Sequence, residues 1–124
     1  MTLVLSGVTG LRNRGVEALV RSALEGFARH LPDERTTVLT SDPLYDRIAL
    51  EGAASVVADN PAYFQSSRIE RYLRHVKAAV RSGGDSFKAI QILKSATAVV
   101  ASGGDVFSSD YGTLRRHIGP VETA

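Results

Sequence analysis

Two short stretches of the chain combine glycine with groups able to bind ligands or move protons. One is "GVTGLRNRGVE", residues 7–17, and the other is "VVASGGDVFSSDYG", residues 99–112. In the second, Gly103 and Gly104 let a ligand approach the backbone closely. Asp105 and Asp110 can accept hydrogen bonds from sugar hydroxyls, and Tyr111 offers a ring face with a polar tip. A pair of carboxylates also suggests acid–base work or a metal. No histidine stands beside them, so a metal site is not expected. The same residues equally build an Asp-capped turn with no ligand at all.

In the first stretch, Gly7, Gly10 and Gly15 permit positive φ and close backbone approach. Asn13 is placed to cap a helix, whose remaining first-turn amides would face an anion or a hydroxyl. Glu17 falls in that first turn, where it serves either a ligand or the helix dipole. The glycines run G-x-x-G-x-x-x-x-G, unlike the dinucleotide fingerprint G-x-G-x-x-G, and no P-loop Lys-Ser/Thr pair follows. A strand-to-helix turn that needs glycine accounts for the stretch equally well. His30, His75 and His117 share no motif, and Ser102, Ser108 and Ser109 lack the G-x-S-x-G elbow of serine hydrolases.

The elements that must position these loops alternate in type. A strand is expected over Thr2–Ser6, and a helix from Val16 with Leu19, Val20, Ala23, Leu24, Phe27 and Leu31 on one face, stopped by Pro32 and Asp33. A second strand follows over Arg35–Ser41, then a loop with one short helix in "DPLYDRIALEGA". A third strand is expected over Ala54–Asp59 and a helix over Tyr63–Arg81. Asp85 or Ser86 is placed to cap a further helix, "FKAIQILKSA", and a fourth strand spans Thr97–Ser102. Such alternation implies right-handed crossovers and a mainly parallel sheet in a three-layer αβα domain covering residues 1–124. Ligands of such sheets bind beyond the carboxyl ends of the strands. Both glycine-bearing loops follow strands, so they are expected to line one rim.

Composition sets the broad class. The 124 residues carry 15 Lys and Arg against 13 Asp and Glu, a net charge of +2, and 44% are hydrophobic. This is the profile of one globular domain whose slight positive charge suits an anionic ligand without calling for nucleic acid. The absence of cysteine excludes disulfides and thiolate metal sites and fits a reducing compartment. The N-terminal apolar run is too short for a signal peptide, and no stretch has the length of a membrane span, so a cytoplasmic protein is expected. Arg68, Arg71, Arg74, Lys77 and Arg81 form a solvated helix face, or one that meets a polyanionic lipid carrier or membrane surface. The final "TLRRHIGPVETA" begins like a helix with no strand after it. The sheet therefore reads as the unfinished N-terminal part of a longer protein, with an open edge that favours self-association into a homo-oligomer.

The stretch "LRNRGVEALVRSALEGF", with its N-x-G-x-E-A core, and "ASGGDVFSSDYG" at the end of a later strand together resemble the polysaccharide pyruvyl transferase family. The similarity covers the first strand-loop-helix and the last quarter of the chain; the middle is generic. Val16 departs from the pattern, because many members carry an acidic residue directly after the glycine.

The resemblance implies half of a GT-B-like architecture, in which two Rossmann-like domains face a cleft. It implies transfer of the enolpyruvyl unit of phosphoenolpyruvate onto a sugar of a cell-surface polysaccharide or its lipid-linked precursor. Asn13, Gly15 and Glu17 match the first motif; Gly103, Gly104, Asp105, Asp110 and Tyr111 match the second. With Gly10, these are the expected acceptor-binding residues, and the ketal-forming chemistry that the resemblance implies makes Asp105 the candidate base beside the acceptor hydroxyl. Phosphoenolpyruvate is the donor substrate, no further cofactor is expected, and the basic residues that hold the donor belong to the second half. The isolated chain is therefore expected to be inactive. Two other readings stay open, namely a half-domain of a GT-B glycosyltransferase and a non-catalytic sugar- or anion-binding α/β domain.

Overall fold

The computed structural model of the chain describes residues 2–59, 85–102 and 121. The elements are β1 (Thr2–Val8), α1 (Arg14–His30), β2 (Arg35–Thr40), α2 (Pro43–Ala49), β3 (Ser55–Ala58), α3 (Asp85–Ser95) and β4 (Ala98–Ala101). The four strands form one all-parallel sheet in the order β3-β2-β1-β4. This is an α/β fold with helices on both faces of the sheet. The helix expected over residues 63–81 and the loop of residues 103–112 lie outside the described residues.

Alternation of side chains along the strands builds two apolar layers. Leu5, Val8, Val38 and Val56 pack with Val20 and Leu24 of α1 and with Leu50 just past α2. Val4 and Leu39 pack on the other face with Ala89 and Leu93 of α3. Val4, Val38 and Leu39 are wholly buried. Burying one such side chain contributes about 2 kcal/mol before its entropy cost. At the edges, β3 packs into both layers through Val56 and Val57, whereas β4 stays partly exposed along its length.

β1 runs to Val8, two residues past the expected end. Its register to β2 breaks between Leu5 and Val8, where Gly7 adopts φ +78°. The irregularity returns Val8 to the face of Leu5, so the strand continues through its first glycine rather than stopping at it.

Along α1 the apolar stripe holds only in part. Val20 and Leu24 are buried, and Val16, Ala23 and Phe27 pack against that layer, whereas Leu19 is 46% and Leu31 44% exposed. Leu19 lies at the flank of the stripe, one hundred degrees from Val20 in helical projection. Leu31 has left the helix, with φ −137° and ψ 58°. Asp85 and Ser86 already belong to α3 rather than preceding it. Among the described residues no helix is long and apolar enough to cross a membrane.

Candidate functional site

The sheet order reverses direction of growth between β1 and β4, and these two strands pair directly, Leu3 with Ala98 through Ser6 with Ala101. Their carboxyl ends therefore adjoin. The Ser102 amide donates to the Ser6 carbonyl at 2.7 Å. A Cβ added to Gly7 would lie 3.7 Å from the Ser102 nitrogen. The turn between β1 and α1 and the end of β4 thus share one rim, in the crevice position where open parallel sheets bind ligands. Gly103, Gly104, Asp105, Asp110 and Tyr111 fall after Ser102, outside the described residues.

Of the expected residues in the first turn, Asn13 is the N-cap of α1. Its Oδ1 accepts the Gly15 amide at 2.9 Å, and its carbonyl accepts the Glu17 amide at 2.9 Å. Gly10 has φ +118°, and a Cβ there would come within 3.2 Å of the Asp42 Cβ. Here glycine is required both by backbone conformation and by the close approach of the next turn. Gly15 differs from expectation. It lies inside the helix without positive φ, and an added Cβ would meet Asn13 Oδ1 at 3.3 Å. Its small size leaves room for the cap rather than for a left-handed turn. The Glu17 carboxylate accepts Arg21 Nε at 2.8 Å, one helical turn along, so it is engaged along the helix rather than held toward the rim.

The turn is held from outside by a group that sequence reasoning passed over. Asp46 on α2 is fully buried. Its Oδ1 accepts the Leu11 amide at 2.9 Å, and its Oδ2 accepts the Thr40 hydroxyl at 2.5 Å. The Thr40 oxygen in turn accepts the Asp42 amide at 3.2 Å. A single carboxylate thereby ties the β1–α1 turn, the end of β2 and the start of α2 into one unit. Removing one partner of a buried hydrogen bond leaves the other orphaned, at the cost of its desolvation.

On the outer side of the turn, Arg12 lies between Asp42 and Tyr45. Its Nε donates to Asp42 Oδ2 at 2.6 Å, and its guanidinium carbon sits 4.5 Å from the Tyr45 ring centroid. The hydrogen bond to Arg12 holds the Asp42 carboxyl below its usual range, and the same bond raises the already high Arg12 pKa. Asp42 stands just before α2, with its carboxylate oxygen Oδ2 bonded to Arg12. Beyond this pair opens a cleft of about 470 Å³ lined by Leu11, Arg12, Arg14, Glu17, Ala18, Arg21 and Tyr45. Among the described residues, no three His, Cys, Asp or Glu side chains gather as metal ligands would. His30 is an exposed residue of the last turn of α1.

Comparison with known proteins finds no matching family model, no matching curated protein and no matching solved structure.

Proposed function

We propose that this domain is the acceptor-facing, Rossmann-like half of a polysaccharide pyruvyl transferase with a GT-B-like architecture, acting in the cytoplasm. The observation that carries the reading is the adjacency of the two motif-bearing strand ends, with Ser102 bonded to Ser6 and packed beside Gly7. Motifs separated by some ninety residues of sequence bear on one crevice only if the fold brings their strands together, and β1 and β4 are neighbours.

The transfer converts phosphoenolpyruvate and a sugar diol into a pyruvate ketal and phosphate. A proton is added to the methylene carbon, one sugar hydroxyl adds to the adjacent carbon, and a second displaces phosphate. Of the two hydroxyl protons released, one balances the carbon's gain and the other leaves with phosphate. In this scheme Asp105 takes a hydroxyl proton, while Asn13, Gly10 and the glycine pair form the acceptor wall. Glu17, bonded to Arg21, shapes the first helical turn. The phosphate clamp is assigned to the facing domain.

The test is phosphate release from phosphoenolpyruvate by the full gene product, with and without a glycan acceptor. Release that depends on the acceptor, and that Asp105→Ala reduces at unchanged melting temperature, is the expected result. Consumption of a nucleotide sugar, with none of phosphoenolpyruvate, contradicts the reading and favours a GT-B glycosyltransferase.

A further inference from the structure

We infer that the cleft between the first turns of α1 and α2 is a diphosphate-binding subsite. Three guanidiniums, of Arg12, Arg14 and Arg21, line it against the single carboxylate of Glu17. Two of the three are already positioned. Arg12 is fixed through Nε by Asp42 and across its face by Tyr45. Arg21 is fixed through Nε by Glu17 and through Nη2 by the Ala49 carbonyl at 3.1 Å. Each keeps terminal N–H groups beyond those bonds. Arg14 has no partner among the described residues and is exposed.

A guanidinium presents five donors in a planar fork, so one edge can hold a protein carboxylate while the other takes a phosphoryl oxygen. The neighbouring carboxylates are committed. Asp42 belongs to Arg12 and Glu17 to Arg21, so the third cation sets the sign of the cleft. Arg14 and Arg21 are seven residues apart on one helix face, and Arg21 reaches back one turn to Glu17, so the cations can meet a ligand at more than one point, as two linked phosphoryl groups offer. A diphosphate ester supplies both, and Tyr45 forms a wall for the group attached to it. This inference stands on the cleft alone and holds or fails independently of pyruvyl transfer.

The experiment is a titration of the 124-residue chain with inorganic pyrophosphate, followed by amide chemical shifts at constant ionic strength. Saturable shifts in Leu11–Arg21 are expected, with binding weakened about fivefold by Arg14→Ala, the loss expected for one solvent-exposed charged contact. Arg29→Ala, an exposed change at the far end of α1, leaves binding unaltered. Titration with a nucleoside diphosphate and with a prenyl diphosphate then identifies which attached group binds tighter. Linear shifts matching those caused by sodium chloride overturn the inference. Equal weakening by Arg14→Ala and Arg29→Ala does so too, since it reports only general charge.

Discussion

α1 and α2 both begin at the carboxyl rim of the sheet, yet they bury opposite chemistry. The long helix seats Val20 and Leu24 against the strands and turns its arginines and glutamates to water. The short one leaves Leu44 and Ile48 at 76% and 78% exposure while its aspartate, Asp46, is fully buried. Seventeen residues of α1 give periodicity enough turns to decide which face goes inward. Seven residues of α2 do not, and a hydrogen-bonded anchor decides instead. Two buried hydrogen bonds accepted by one carboxyl group set the orientation of α2, at the expense of the apolar surface that two exposed side chains forgo.

The largest expected effect follows from that anchor. Asp46→Ala removes the acceptor for both the Leu11 amide and the Thr40 hydroxyl, leaving buried donors without partners. Denaturant unfolding is expected to show a loss of about 3 kcal/mol. Asp46→Asn keeps one acceptor oxygen and about the same volume, so its loss is smaller. If Asp46→Ala proves neutral, α2 is held by its apolar contacts and the contrast with α1 collapses.

At the small end stand the exposed side chains. Leu44→Gln and Ile48→Gln are expected to change stability by less than about 0.5 kcal/mol each, since neither buries its side chain. A loss above about 2 kcal/mol in the same unfolding assay would place these residues in a packed interface and reverse the account of α2.

The same contrast explains what was legible in the sequence. β1, β2, β3, α1, α3 and β4 announce themselves through β-branched runs or helical period, and the parallel α/β arrangement follows from their alternation. The capping role of Asn13 was legible because an amide before a helical stripe has one common use. The continuation of β1 through Gly7 was not, because a glycine ends a strand in most contexts and bends it in few. Leu19 and Leu31 misled for a simpler reason: stripe membership by spacing ignores where the helix stops and how wide its contact is. The part played by Asp46 and Arg12 depends on partners 35 and 30 residues away. Local pattern carries no information about such pairings until the strands have been ordered.

The turn after β1 is held in place by a carboxyl group on another element. Native-state hydrogen exchange at the Leu11 amide tests it most directly. Protection approaching that of Val4 and Val38 in the sheet, with the exposed Thr9 amide exchanging fast, is the predicted result. A Leu11 amide that exchanges as quickly as Thr9 while the strands stay protected would contradict it.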